Sequence, residues 1–456
     1  MTASKCWLLP AACGLLAVLN GLSNAQEPPA ANPYTVAVYW WPNFHCDAFH
    51  QSKKFPGWTE WEIVKHGTPR FPGHAQPKVP LWGYRDEADP KEAARSIDAL
   101  ADAGVGAVIF DWYRYDDDIN GGVMIERALR EGFLKAPNRQ RLKFALMWAN
   151  HTYIDCHPFA AGSDFSCAPV WRKGEVSRAA FERHTNDAIA TYFSQPNYWK
   201  IDGKPYFSIY QLKTLLAGMK TLQETRATLD GFRRRVCAAG FPGLHLNIVD
   251  WSLAPSLEMV KGQPMPGDPS RKVQTERDLL DALGADSTTW YTWVHHVMPA
   301  AKALPASQQI PAAIAGPLSS AILMGNAKKA GIQTRDYDDW GREAIRVQIE
   351  RMAALGVPFF PHVARGWDGS PRNYRSGIVV GNTPERFKKY LIEVKALVDK
   401  HPASRRTITI NSWNEWVEGS YLEPDTETGT KYLDAIREVF GPAQPDRRNA
   451  SSPENR

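Results

Sequence analysis

The chain has 456 residues, of which 43% are hydrophobic and 23% charged, with a formal net charge of +5. That is enough apolar material for one large core, and the small positive balance, part of it in Arg447, Arg448 and Arg456, excludes a nucleic-acid-binding stripe. The run Arg233-Arg234-Arg235 reads as a helix face.

At the N-terminus, Lys5 precedes an apolar run from Cys6 to Leu22 that ends in the small residues Ser23-Asn24-Ala25. This pattern predicts a secretory signal peptide over residues 1–25 and a secreted or periplasmic mature protein. No later stretch is long and apolar enough to span a bilayer. Residues 26–442 are expected to form one domain and residues 443–456, rich in Pro, Asn, Arg and Ser, a disordered tail. Of the six cysteines, Cys46, Cys156, Cys167 and Cys237 remain after leader removal. Cys156 and Cys167 flank a loop holding Pro158 and Gly162 and are the expected disulfide, whereas Cys237 falls on a helical pattern that suits a buried thiol as well as a bridge.

Short β-rich runs recur in chain order at Thr35–Trp40, Val105–Trp112, Leu142–Ala149, Pro205–Gln211, Leu244–Trp251, Thr288–Trp293, Val357–Val363 and Thr407–Trp413. Helical patterns separate them. Asp89-Pro90 opens one, with Ala94, Ile97 and Ala101 on one face and Gly104 at its stop; Thr383-Pro384-Glu385 opens another that runs to about Lys400. Others lie near Ile125–Phe133, Val176–Phe193, Leu222–Ala239, Glu276–Leu283, Trp340–Leu355 and Lys431–Phe440. Eight alternations, with strands too apolar to face water, predict an α/β fold of the (β/α)8 TIM-barrel type. An open doubly wound sheet is the alternative, and the missing glycine-rich phosphate loop after the first strand argues against it. The segments Phe44–Asp89 and His295–Asp339 read as loop insertions.

In such a barrel the active site lies at the carboxyl ends of the strands. The residues expected on that rim include Trp41, Asp111-Trp112-Tyr113, Trp148, Asn150-His151, Tyr210, Asp250-Trp251, Trp293, Trp367-Asp368 and Asn414-Glu415-Trp416-Val417-Glu418. Many of the 17 tryptophans fall at these strand ends, where flat rings with a polar edge suit the faces of sugars and Asp, Asn and His suit their hydroxyls. Trp41, Asp111, Trp112, Trp148, Asn150, Tyr210, Trp367, Asp368, Asn414 and Trp416 are therefore expected carbohydrate contacts. Asn150-His151-Thr152 also satisfies the glycosylation pattern, but its place on the rim favours the substrate role. Glu415 and Glu418 are the expected catalytic pair: the turn at Gly419 lets both enter one pocket, and glycoside hydrolysis needs one carboxyl to protonate the leaving oxygen and one to act on the other side of the anomeric carbon.

The stretch from Asn411 to Gly419, Asn-Ser-Trp-Asn-Glu-Trp-Val-Glu-Gly, resembles the hallmark of glycoside hydrolase family 99. Tyr39-Trp40-Trp41-Pro42-Asn43-Phe44-His45, Gly57-Trp58-Thr59-Glu60-Trp61, Gly73-His74-Ala75-Gln76-Pro77, Trp148-Ala149-Asn150, Ile201-Asp202-Gly203-Lys204-Pro205, Gly366-Trp367-Asp368 and Leu422-Glu423-Pro424 resemble the broad bacterial family-99-like group. Some of its members carry a polysaccharide-biosynthesis glycosyltransferase label. The first-strand motif is closer to that broad group than to the endo-α-mannosidases of family 99 proper. The resemblance implies a retaining, metal-independent glycosidase acting on a glycan, an α-mannoside among the candidates. It places assistance to the substrate's 2-hydroxyl on Glu415 and general acid/base catalysis on Glu418, and it adds His74 to the substrate contacts.

Two other readings compete. Asp116-Asp117-Asp118 after the second strand could serve a nucleotide-sugar transferase, although Asp is common in such turns and activated sugars are cytoplasmic. A non-catalytic carbohydrate-binding barrel would keep the aromatics without needing both glutamates. No His-Glu-x-x-His segment occurs, and neither His295-His296 nor Cys156-His157 has metal-site spacing, so no cofactor and no catalytic metal are expected. A monomer is expected.

Overall fold

The computed structural model describes residues 32–156, 168–298, 302–303, 305–308, 333–372 and 377–441. Six strands open the barrel: β1 (Thr35–Trp40), β2 (Ala107–Arg114), β3 (Lys143–Trp148), β4 (Lys204–Ile209), β5 (His245–Val249) and β6 (Ser287–Thr289). The seventh stave is split into β7 (Phe359–Phe360) and β8 (His362–Ala364), and β9 (Thr407–Asn411) is the last. All are parallel, in the order β7-β6-β5-β4-β3-β2-β1-β9-β8. Pro361 has no N–H to offer a neighbour, and at that residue the stave changes partner: β7 pairs with β6 and β8 pairs with β9. The two halves close the ring, which makes this a (β/α)8 barrel.

Among the described residues, the helices that pack outside the sheet include α1 (Pro90–Asp102), α2 (Arg178–Asp187), α3 (Leu222–Ala238), α4 (Glu276–Leu283), α5 (Tyr337–Ala354), α6 (Pro384–Lys400) and α7 (Lys431–Phe440). Their starts follow the capping signals. Asp89 accepts from Lys91 N, Thr383 from Arg386 N, and Thr275 makes a reciprocal box with Asp278. The buried face of α1 is Ala93, Ser96, Ile97 and Leu100, one step round from the Ala94/Ile97/Ala101 stripe expected from sequence. The helix expected from Ile125 does not form there. Ile125 has φ +48° and gives its N–H to Asp47, and a π turn over Ala128–Gly132 follows.

The insertion after β1 brings Phe44, Phe49, Trp58, Trp61, Ile63 and Val64 into a second hydrophobic cluster with Trp416, Val417 and Tyr421. That cluster backs the segment carrying the two glutamates. Most of the insertion after β6 lies outside the described residues, as do residues 1–31, Cys167 and residues 442–456, so the leader, the Cys156–Cys167 bridge and the tail do too. Cys237 is exposed and carries a free thiol, not a buried one. Among the described residues no helix is long and apolar enough to cross a membrane.

Candidate active site

A strand sends alternate side chains to opposite faces, and this parity sorts the rim. On β2, Asp111 and Tyr113 face the barrel interior and line a cavity of about 780 Å³ at the carboxyl ends of the strands. Trp112 between them points outward, its ring under the Arg114 guanidinium and its Nε1 donating to Glu126 at 3.4 Å. At the end of β3 the same rule puts Met147 and Ala149 on the cavity, while Trp148 packs against Phe181 of α2 and donates to Arg114 O at 3.1 Å.

β9 leads into a hairpin of β10 (Asn414–Glu415) and β11 (Ser420–Tyr421), closed by Trp416–Glu418 and Gly419. Gly419 has φ +62°, and a Cβ there would lie 2.7 Å from Asp368 Cβ, so both its conformation and its surroundings require glycine. The turn brings Glu415 and Glu418 to the same cavity. Ser412 Oγ accepts from Glu415 N at 2.9 Å and steadies the entry to the hairpin.

Of the expected contacts, Trp41, Asp111, Tyr210 and Trp367 line the cavity with the two glutamates. The others do not, and each is occupied elsewhere. Asn414 spans Trp41 through both its N and O and donates to Glu87 at 3.0 Å. Asn150 is fully buried and ties Gln211 and Thr214 together. Trp416 stacks on Tyr421 and donates to Glu423. Asp368 accepts from Gln76 at 2.7 Å and meets His74 Nε2 at 2.9 Å. Burial alone would raise its carboxyl, but these partners and Ser370 hold it well below the usual range.

Sequence reasoning placed Tyr113, His151 and Trp251 on the rim without singling them out, weighed His295 only as a metal ligand, and missed Tyr291 and Arg372; all six line the cavity. Counting by two from Thr289 would have turned Tyr291 inward. Nothing in the irregular segment around Arg372 marks it.

The charges in the cavity are uneven. Burial pushes the Glu415 carboxyl well up, and the nearby charges of Glu418, Glu60 and Asp111 push the same way against Arg372. Arg372 makes an ion pair with Glu418. The Tyr291 hydroxyl lies 2.9 Å from Asp111 Oδ2 and 3.1 Å from Glu415 Oε1. His151 gives Nδ1–H to Thr152 O, which leaves Nε2 to accept from Tyr113 at 3.1 Å. Burial drives His295 down to about 3, so it is neutral at physiological pH. Among the described residues, no group of three or more His, Cys, Asp or Glu side chains is arranged to hold a metal ion.

A closed parallel barrel with two turn-borne glutamates in an aromatic-walled cavity defines the class: a (β/α)8-barrel protein with a paired-carboxylate pocket. The chain belongs to the family described as glycosyltransferase WbsX, whose model matches residues 35–436. This fits the resemblance of its motifs to the broad bacterial group with a glycosyltransferase label. It is 26% identical over 415 residues to the uncharacterized protein WxcX of Xanthomonas campestris pv. campestris strain B100, and equally to that of a second strain. The match takes in 90% of this chain and 50% of each relative, so the chain spans about half the length of the curated relatives it matches. Among solved structures it is similar to a glycoside hydrolase-like protein (14% identity, TM-score 0.48, covering 92% of this chain and 97% of that one). It is also similar to a GH99 endo-alpha-mannosidase from Bacteroides thetaiotaomicron (15% identity, TM-score 0.44, 89% and 96% covered).

Proposed function

We propose that the chain is a retaining glycosidase that cleaves a polysaccharide or glycan with Glu415 and Glu418. The observation that carries this reading is the delivery of both carboxyls by one short turn to a cavity walled by Trp41, Tyr210, Trp251 and Trp367. Its volume of about 780 Å³ falls in the range of small-ligand sites and accommodates a stretch of sugar residues.

In the first assignment Glu415 takes the proton of the substrate's 2-hydroxyl as that oxygen attacks the anomeric carbon, and Glu418 protonates the leaving oxygen. A base whose conjugate acid is weak suits a poorly acidic hydroxyl, and the raised Glu415 carboxyl meets that need. The acid role requires Glu418 to exchange its Arg372 contact for the leaving oxygen. The ion pair to Arg372, together with the upward shift at Glu415, favours a second assignment in which Glu415 is the acid and Glu418 the base.

The family description favours a different second reading, transfer of the sugar to another hydroxyl in place of water. Asp116, Asp117 and Asp118 give a nucleotide-sugar site no support. None lines the cavity, Asp117 is held by Arg172, and Asp116 accepts from Ser177 N at 2.8 Å. Export through a leader over residues 1–25 is part of the proposal, and N-terminal sequencing of exported protein tests it.

The test of the reaction is sugar release from a panel of polysaccharides, with proton NMR of the first-formed product before mutarotation. The substrate's own anomer is expected, because attack by the 2-hydroxyl and opening by water are two inversions. The opposite anomer would overturn the assignment to this pair, and product formed only from a nucleotide sugar and an acceptor would favour the transferase.

A further inference from the structure

We propose that Asp111 is a specificity-determining residue: it receives the hydroxyl beside the one that Glu415 assists, so the reacting ring must carry an unsubstituted 2,3-diol. The inference rests on the reading of Glu415 as the group that assists the 2-hydroxyl.

Among the described residues, a single hydrogen serves the four oxygens of these two carboxyls. Tyr291 Oη lies 2.9 Å from Asp111 Oδ2 and 3.1 Å from Glu415 Oε1. A phenol has one hydrogen, so it serves one of the two at a time. Asp111 Oδ1 and Glu415 Oε2 are buried and have no hydrogen-bond partner among the described residues. Nearby donors are committed elsewhere: Tyr113 to His151, the Trp41 indole to Glu60, and Arg372 to Glu418. The shortage therefore falls on Asp111 and Glu415 and spares Glu418. A buried acceptor left without a donor is costly, and these two side chains are only 4% and 5% exposed.

Both carboxyls line the cavity, so a ligand that brings hydroxyl donors meets the shortage. Because they flank one phenol oxygen, they are close enough together to serve neighbouring hydroxyls of one ring. Glu415 takes the 2-hydroxyl. Of the two carbons beside it, the anomeric one carries the leaving oxygen and has no hydroxyl to give. The other, carbon 3, supplies the hydroxyl for Asp111. That hydroxyl keeps its proton throughout, so Asp111 selects the ring and takes no part in bond making. A glycosyl or acyl group on the same oxygen would remove the donor and add bulk where Asp111, Tyr291 and Glu415 converge, which excludes rings substituted at position 3.

The test uses polysaccharides whose main chains are linked through positions 2, 3, 4 and 6. Products released by the wild type are reduced with borodeuteride and methylated, so that the labelled residue at the reducing end, which was the reacting ring, reports which of its oxygens were free. A free oxygen at position 3 is expected in every product. Release from a ring substituted there overturns the proposal and leaves the glycosidase reading in place. A wild type that releases no sugar from any glycan overturns that reading and this proposal with it. On a cleaved glycan, Asp111→Ala is expected to lower kcat/KM by roughly 10- to 10²-fold, the effect of losing a hydrogen bond to a charged group. Asp111→Asn keeps an acceptor oxygen in place and is expected to recover most of that loss. An unimpaired Asp111→Ala, or an Asp111→Asn as impaired as Asp111→Ala, overturns the proposal. The linkage of the wild-type products decides it without either variant.

Discussion

Glu415 and Glu418 differ in what they touch, and that difference sets the predictions at the residue scale. Glu415 accepts from Tyr291 in a ring of negative neighbours, and Glu418 is paired with Arg372. Each Glu→Gln change is expected to lower turnover by about 10²-fold or more, as loss of acid–base help does. The folds should stay intact by circular dichroism. A glycoside with an activated leaving group needs no general acid, so it should restore the rate of the variant lacking the acid and leave the other impaired. Restoration in Glu418→Gln supports the first assignment, and restoration in Glu415→Gln supports the exchanged one. The motif made both glutamates legible in the sequence, because consecutive residues at a strand end share one loop wherever the barrel places it. Trp112 and Trp148 were legible as strand-end aromatics, yet their side is a matter of parity, and parity places them against the helices.

At the scale of elements the decisive piece is the hairpin that closes the last strand. Gly419→Ala imposes φ +62° on a residue with a Cβ and drives that carbon onto Asp368, so a loss of about 1–2 kcal/mol from the backbone alone is expected in denaturant titration. Activity should fall further than stability, since the same turn aims Glu418. Helix ends such as Pro384–Lys400 and Glu276–Leu283 were legible because caps are local chemistry. The π turn at Ala128–Gly132 was not. A Cβ at Gly132 would lie 2.2 Å from Glu87 O, a contact made by a distant loop. Between β3 and α2, a disulfide joining Cys156 and Cys167 is expected in exported protein. Peptide mapping without reductant checks it, and two free thiols there would refute it.

Across the whole molecule, buried histidines tie stability to pH. Burial pushes His184 and His245 down to about 4 and His295 and His296 down to about 3. The unfolded chain binds these protons near pH 6.5, so between that pH and about 4 it holds more protons than the folded one. Stability should therefore fall as pH drops through that window. The raised Glu415, Asp111 and Glu423 carboxyls act with the opposite sign, so the histidine contribution is read as a shallower decline in Tm from pH 7 to pH 5 when His184 and His245 are replaced by Gln, and an unchanged slope would mean that these two side chains are protonated in the fold.

The sequence by itself determined the alternation of strands and helices, the barrel and the two glutamates. Those follow from period, capping and a turn, all written within a few residues of one another. It did not determine which rim residues share the cavity. Tyr291 meets Asp111 and Glu415 across 180 and 124 positions of chain, and Arg372 reaches Glu418 across 46. Only ring closure, with β1 against β9 and the seventh stave divided at Pro361, brings those side chains within hydrogen-bond distance. The burial that follows raises Glu415 and Asp111, so the chemistry of the pair is a property of the closed barrel.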